Sequence, residues 1–311
     1  MCTYNGERFL REQLESIAAQ TLRPMEIVIC DDGSSDATLA IAKEFARTVD
    51  LDVKVVRNDI NLGVAKNFEK AIGLCSGGLI ALADQDDLWY PRKLERLAAR
   101  MAQDPSIGGV FSDADLIDED SQPTGEQLWK LVRFGRHEQR LVDRGEAARL
   151  LCMRNFVTGA TIMVRASLRT SLLPVGPAWV HDGWFAWMLV LYSRLTYLPE
   201  RLMAYRIHSA QSCGVRTRGF RKRLATLRRS YSGLHANRAE QFESLAARCA
   251  ERGGCSDQTM REIRQGAEFY RMRANLPPTA MSRSTHVLPN IPLYRRYSHW
   301  MQDIFRDIVR G

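Results

Sequence analysis

The chain has 311 residues, of which 45% are hydrophobic, 26% charged and 8% aromatic, a globular composition that excludes disorder and low-complexity architecture. A net charge of +8 and a pI of about 9.3 suit a phosphate-bearing substrate, an anionic membrane surface or a nucleic acid. No signal peptide and no apolar run of membrane-spanning length is found, so the expected location is the cytoplasm, with at most a peripheral contact on the inner face of the cell membrane.

Residues 7–20 read as a helix with only a stub of strand before it. A βα unit asks for a longer strand there, so the first strand is either truncated or begins upstream. Residues 25–30 form a buried strand that runs into the turn chemistry of Asp31-Asp32-Gly33-Ser34-Ser35-Asp36, and Asp36 caps a helix over 37–46. A second strand at 53–56 precedes a helix at 64–75 with Phe68, Ala71 and Ile72 on one face. The third strand, 79–83, ends on Asp84-Gln85-Asp86-Asp87. Pro91 opens a helix to about residue 103, and 109–111 is a fourth strand. This alternation predicts an α/β fold with a mostly parallel sheet, whose ligands gather at the carboxyl ends of its strands. Both acidic clusters fall at such ends.

Further along, 202–206 reads as a strand leading back to that edge. From about residue 214 the character changes. Arg216, Arg218, Arg221, Lys222, Arg223, Arg228 and Arg229, with Phe220, Leu224 and Leu227, suggest a basic amphipathic helix. A second helical pattern runs to about 272, residues 276–292 read as a Pro/Ser/Thr-rich linker, and 294–310 mixes arginines with large apolar residues. The expected organisation is a catalytic domain over 1–214, divided into halves 1–115 and 116–214, followed by a helical basic extension over 215–311. The seven cysteines are odd in number and without a CxxC pair. They read as reduced thiols, mostly core fillers.

Three carboxylates within four residues repel one another, and a divalent cation offsets that cost. Mg²⁺ and Mn²⁺ bind oxygen ligands, commonly one or two carboxylates plus substrate phosphates. Taken alone, Asp84 to Asp87 is better explained as a solvated turn with one capping aspartate, and Asp31-Asp32-Gly33 is a common turn. Their order and spacing carry more weight than either cluster.

Thr3-Tyr4-Asn5-Gly6, Gln20-Thr21, Asp31 to Asp36, Asn58, Asn61-Leu62-Gly63, Lys66-Asn67 and Asp84-Gln85-Asp86-Asp87-Leu88-Trp89 resemble the successive blocks of glycosyltransferase family 2. The resemblance is continuous over about residues 2–115 and looser to about 214. His181-Asp182-Gly183-Trp184 and the stretch from Tyr205 to Gln211 are similar to its rhamnosyltransferase-like branch, which builds bacterial cell-surface polysaccharides. Gln211 departs from that pattern, where an asparagine is usual.

The resemblance implies a GT-A nucleotide-binding sandwich. Thr3 and Tyr4 would line the base pocket, with Asp32 on the base, Asp31 behind it and Lys66 near the nucleotide. Asp84 would face the ribose and Asp86 would bind Mg²⁺ or Mn²⁺ on the diphosphate, with Asp87 in support and His208 a further metal or diphosphate contact. Asp182 would be the base of an inverting transfer, with His181 and Trp184 toward the sugar or acceptor. The partners implied are a nucleotide-sugar donor (dTDP-rhamnose or a UDP-sugar) and a saccharide or polyprenyl-diphosphate-saccharide acceptor. An anionic membrane surface is a third.

Read from the residues alone, Asp182 is better explained as a helix cap, His208 and Trp184 are equally packing residues, and the basic helix is equally a solvated face. A nucleotidyltransferase acting on sugar phosphates is the rival enzyme, but a Gly-rich, Lys-bearing phosphate loop is lacking near the start. A non-enzymatic basic binding protein is the other rival. Nucleic acid is not an expected partner, because both acidic strand ends would repel it.

Overall fold

The computed structural model describes residues 1–209, 231–298 and 300–309. The expected basic amphipathic helix at 216–229 and Gln211 lie outside them. The chain divides into two units, one of Met1–Gly145, Phe156–Val175 and Val180–Arg216, the other of Glu146–Asn155, Gly176–Trp179 and Thr217–Gly311.

The first unit opens with strict alternation: β1 (Cys2–Thr3), α1 (Leu10–Ala18), β2 (Glu26–Asp31), α2 (Thr38–Thr48), β3 (Asp52–Arg57), α3 (Val64–Leu74) and β4 (Leu79–Ala81). There follow β5 (Leu88–Trp89), α4 (Lys93–Ala102), β6 (Ile107–Ile117), β7 (Pro123–Gln127), α5 (Leu128–Leu131) and α6 (Arg136–Asp143). The helix α7 (Ala147–Met153) belongs to the second unit. The first then resumes with β8 (Ile162–Arg165), α8 (Arg169–Leu172), α9 (His181–Tyr192) and β9 (Arg194–Arg206).

The helices form where apolar residues recur at helical spacing. In α4, Leu94, Leu97 and Met101 turn one stripe to the core, and in α1, Leu10, Leu14 and Ile17 do the same. The cap position of α2 falls on Ala37 rather than on Asp36 as expected; Asp36, one residue earlier, still accepts the Thr38 N–H at 3.0 Å.

The strands make two sheets rather than one. The first, β1-β2-β3, is wholly parallel, as the alternation predicts. The second runs β4-β8-β6-β9-β5 with β7 beside β6, and only its β6–β9 pair is parallel. β1 pairs with β2 at Cys2 and Thr3. One backbone bond, Cys2 N to Ala83 O at 3.4 Å, joins the sheets at their carboxyl ends. The two acidic clusters therefore end strands of different sheets and still meet at one place.

The second unit is helical: α7, then α10 (Tyr231–Arg252), α11 (Asp257–Ala274), α12 (Ala280–Val287), α13 (Ile291–Tyr297) and α14 (Trp300–Val309). Residues 276–292 are not a linker. Thr279 caps α12 by accepting the Ser282 N–H, and Arg283 and Val287 are buried, so tertiary packing overrides the polar composition. Buried Arg273 pairs with fully buried Asp307 at 2.6 Å, and the Tyr294 hydroxyl donates to the same carboxylate at 2.5 Å. Part of the basic charge is thus consumed internally. Cys249 and Cys255 form a disulfide, which corrects the all-reduced reading. Their Cα atoms lie 5.7 Å apart, within bonding range, a closeness that helix ends impose and residue spacing does not reveal.

Candidate active site

A cavity of about 420 Å³ opens in the first unit at the carboxyl ends of β1, β2 and β4. Thr3, Tyr4, Asp32, Asp84, Asp86, His181, Asp182 and His208 line it. Eight of the singled-out residues, drawn from five stretches of sequence, so face one space.

Asp31 sits behind this wall. Fully buried, it accepts hydrogen bonds from the Thr3 hydroxyl at 3.0 Å and from the Ser34 amide at 3.0 Å. It fixes Thr3 and the turn. Asp32 does similar work one residue on: its carboxylate accepts from Asn58 Nδ2 at 2.7 Å and from the Leu62 and Gly63 amides at 2.8 Å each. The Asn61-Leu62-Gly63 loop is thereby tied to the end of β2. Gly63 has φ +78°, a conformation that glycine adopts without steric cost.

Lys66 stands apart from the cavity. Its ammonium is exposed and pairs with Glu69 at 2.9 Å. On α3 the cavity-lining residues are Val64, Asn67 and Phe68, one helical face, and position 66 projects from another. The expected nucleotide role for Lys66 is corrected accordingly.

Within the tetrad each carboxylate has a different setting. Asp86 Oδ2 lies 2.8 Å from His208 Nε2, and the His208 ring packs against Phe9. Asp84 opens to the cavity but is surrounded by protein. Burial, then the charges of Asp86 and Asp182, raise its pKa to about 7. Asp87 is buried behind them, and burial, then the charges of Asp86 and Asp84, pushes its carboxyl well above the usual range. Its Oδ1 accepts the Arg206 N–H at 3.0 Å, and its Oδ2 is a buried atom without a hydrogen bond.

Two buried basic side chains answer this acidity, and neither was singled out as a site residue from sequence. The Arg206 guanidinium donates to Asp86 O at 2.7 Å, Ser121 Oγ at 2.8 Å and Glu12 Oε2 at 2.9 Å, and lies over the Phe9 ring. Lys93 Nζ donates to Ala160 O at 2.6 Å and sits 4.0 Å from the Trp89 ring centroid. Burial brings its pKa down to about 7, against the opposing pull of Asp87 and Asp84. Gln85 was also missed. Its amide exchanges two hydrogen bonds with the Tyr4 backbone, at 2.8 and 3.1 Å, clipping β1 to the tetrad. A Cβ on Gly6 would fall 2.3 Å from that amide, so glycine leaves room for the clip.

From the other side, α9 presents His181 and Asp182 in its first turn. Burial raises the Asp182 pKa to about 6. Its Oδ1 accepts the adjacent Gly183 N–H at 2.6 Å, and Val180, not Asp182, occupies the cap position. His181 stacks on Phe68 with centroids 3.9 Å apart, and both its ring nitrogens are buried without hydrogen bonds. Burial lowers its pKa to about 3. Trp184 is a core residue, 1% exposed, with its indole N–H donating to Leu172 O at 2.8 Å. The expectation that it faces a sugar is corrected, since α9 is buried on nearly every side.

Chemically, the arrangement offers a carboxylate–imidazole pair for a cation and a separate carboxylate across the cavity. Among the described residues no group of three His, Cys, Asp or Glu side chains is placed to hold a metal ion unaided. A cation bound by the Asp86–His208 pair would take its remaining ligands from phosphate and water, the usual habit of Mg²⁺.

A parallel nucleotide-type half beside a mixed sheet, with acidic strand ends converging on one cavity, defines a GT-A-like α/β fold. Solved structures agree on the fold. TarS 1–349 from S. aureus in complex with UDP superposes with a TM-score of 0.56 at 17% identity, over 99% of this chain and 79% of that one. The mannosyltransferase PcManGT from Pyrobaculum calidifontis, in complex with GDP-Man and Mn²⁺, gives 0.53 at 19% identity, over 94% and 73%.

Residues 1–156 match the family described as Glycosyl transferase family 2, and the chain belongs to it. It is 39% identical over 99 residues to the putative glycosyltransferase EpsE of Bacillus subtilis, covering 32% of this chain and 36% of that protein. It is 31% identical over 121 residues to WfgD of Escherichia coli, a UDP-Glc:α-D-GlcNAc-diphosphoundecaprenol β-1,3-glucosyltransferase, covering 39% and 46%. An uncharacterized glycosyltransferase of Haemophilus influenzae is 27% identical over 226 residues, covering 69% and 66%. The matches thus span between about a third and two thirds of these relatives' lengths.

Proposed function

We propose that this chain transfers a sugar, with inversion, from a nucleotide-diphosphate donor to a saccharide or lipid-linked saccharide acceptor in cell-surface polysaccharide synthesis. The observation that carries the reading is the shared cavity, with Asp84 and the Asp86–His208 pair on one wall and Asp182 on another.

Thr3, Tyr4 and Asp32 hold the nucleoside end of the donor, and Asp84 meets the ribose. Asp86 and His208 hold Mn²⁺ or Mg²⁺. The carboxylate suits either ion, and the softer imidazole tilts the pair toward Mn²⁺. When bound, the cation neutralises charge on the diphosphate leaving group. Asp182 takes the proton of the acceptor hydroxyl, and its raised pKa keeps it basic enough to do so near neutral pH. Its burial excludes water that would compete as an acceptor. His181, held neutral by burial beside Asp182, borders the acceptor side.

The named substrate of WfgD supports a lipid-linked acceptor, and the motif resemblance supports dTDP-rhamnose or a UDP-sugar as donor. Among the described residues no helix is long and apolar enough to cross a membrane. We place the protein in the cytoplasm, with the basic C-terminal region against anionic headgroups. The organisation that goes with this reading is a catalytic part to about residue 214 and a basic helical extension after it.

The test is release of nucleoside diphosphate from a panel of nucleotide-sugars, with saccharide or polyprenyl-diphosphate-saccharide acceptors. Release that needs Mg²⁺ or Mn²⁺ and stops with EDTA is the expected result. Nucleotidyl transfer to a sugar phosphate, or no turnover of any donor, overturns the reading.

A further inference from the structure

Five carboxylates line the active-site cavity, those of Asp32, Asp84, Asp86, Glu119 and Asp182. Among the described lining residues Arg8 is the only arginine or lysine. Arg206 and Lys93 lie beneath the tetrad, committed to Asp86 O and Ala160 O. A diphosphate entering this space meets carboxylates on most sides. Beyond the cation proposed at Asp86 and His208, the described wall answers its charge through Arg8. Phe9 connects the two places. The Arg8 guanidinium carbon lies 4.9 Å from the Phe9 ring centroid, and the same ring packs against His208 with centroids 4.9 Å apart.

The backbone that carries Arg8 is pinned on both sides. Asn5 N donates to Ser34 Oγ at 3.0 Å, Gly6 N to Thr38 Oγ1 at 2.7 Å and Glu7 N to Asp36 Oδ2 at 3.1 Å, and Leu10 N closes the next turn on Gly6 O at 3.1 Å. The side chain is held differently. It pairs with Glu119 at 2.9 Å and Asp120 at 3.4 Å on the turn between β6 and β7, and all three side chains are more than half exposed. Exposed pairs of this kind contribute little, because water replaces either partner cheaply. A phosphate offers the planar fork a stronger, bidentate partner. A fixed backbone and a weakly held head suit a side chain that exchanges one anion for another.

We propose that Arg8 is a diphosphate-binding residue of this site, held by Glu119 and Asp120 until substrate arrives. The assignment rests on the sugar-transfer reading, in which two substrates carry that chemistry: the nucleotide donor and a lipid-diphosphate acceptor. The acceptor is favoured. The donor's diphosphate has the cation at Asp86 and His208, whereas the Arg8 side chain is 55% exposed at the cavity mouth, where a lipid-linked group trails out. Glu119 then acts in the opposite sense to Arg8, because it competes with the phosphate for the same guanidinium.

The experiment measures binding by calorimetry, which needs no turnover, so a failure of the sugar-transfer reading is seen separately in the nucleotide-sugar panel. The full chain with Mn²⁺ is titrated with a nucleoside diphosphate and, once saturated, with a short polyprenyl diphosphate. Arg8→Gln is expected to weaken the second ligand about ten- to a hundredfold, as loss of a charge-assisted contact does, and the first by less than about threefold. Arg8→Lys recovers part of that loss, since the ammonium keeps the charge without the fork. Glu119→Gln is expected to tighten the second ligand by up to about fivefold. A loss confined to the nucleoside diphosphate supports the same chemistry with the donor as its source. Affinities for both ligands within about threefold of wild type in Arg8→Gln overturn the proposal. So does equal weakening in Arg8→Gln and Glu119→Gln, because an ion pair that only braces the loop is lost alike from either side.

Discussion

Asp86 Oδ2 and His208 Nε2 lie 2.8 Å apart, although 122 positions separate them in the chain. The contact exists because β9 returns beside β5, pairing Ala204 with Leu88, and so delivers the residues after Arg206 to the tetrad. Asp86→Ala is expected to abolish metal-dependent turnover. His208→Ala is expected to weaken it less, raising the Mn²⁺ concentration for half-activity by about ten- to a hundredfold. A Mn²⁺ titration of nucleoside diphosphate release reads both. An unchanged Mn²⁺ requirement in His208→Ala would remove the imidazole from the metal site.

Asp182→Asn separates catalysis from binding. The amide preserves shape and cannot take a proton, so kcat is expected to fall about 10²- to 10⁴-fold with donor affinity unchanged. The wild-type pH profile carries the same signature. A base must be ionised to act, and the pKa of about 6 means that the rate declines as pH falls below that value. The variant's residual rate loses this limb. A collapse of donor affinity, measured by calorimetry with the nucleoside diphosphate, would make Asp182 a donor-site residue instead.

Arg206 links strand end to tetrad. Its side chain is 1% exposed and reaches Asp86 O, Asp118 O, Ser121 Oγ and Glu12. Arg206→Met leaves the buried Asp86 and Asp118 carbonyls without this donor, and is expected to cost about 3 kcal/mol of stability. Arg206→Lys restores little of it, because a single ammonium cannot span the acceptors that the planar fork reaches. Urea denaturation of the three proteins decides. A loss under about 1 kcal/mol would mean that the network contributes little.

How far these features were legible in the sequence follows from their range. Strand-helix alternation is a local signal, so the elements through β6, apart from the two-residue β5, and the acidic strand ends were read directly. The contact of Asp36 with the start of α2 was likewise local. What failed depended on distant partners. Trp184 and Lys66 sit in motif-like stretches, but which helix face looks into the cavity is set by how α9 and α3 pack. Lys93 looks like a surface lysine on an amphipathic helix, and only the floor formed by Trp89 and Ala160 reveals it as buried. The helix α12 was hidden because its polar composition resembles a linker until Arg283 finds Ile308 O and Pro278 O. The division into two sheets was not read, because strand-helix alternation does not say which strands pair.

His181 gives a stability prediction with a definite sign. Its ordinary pKa is 6.5, and burial against Phe68 and Phe185 lowers it to about 3 in the fold. The unfolded chain therefore binds a proton below pH 6.5 that the folded chain refuses. The neutral ring's contribution is fully present above pH 6.5 and is lost as pH falls toward 3. His181→Phe keeps the stacked ring and removes the titration. It is expected to flatten the decline of melting temperature across that window relative to wild type, while the two proteins keep a constant difference above pH 7. Parallel melting curves through the whole range would show that His181 is protonated equally in both states, and so that it is solvated in the native fold.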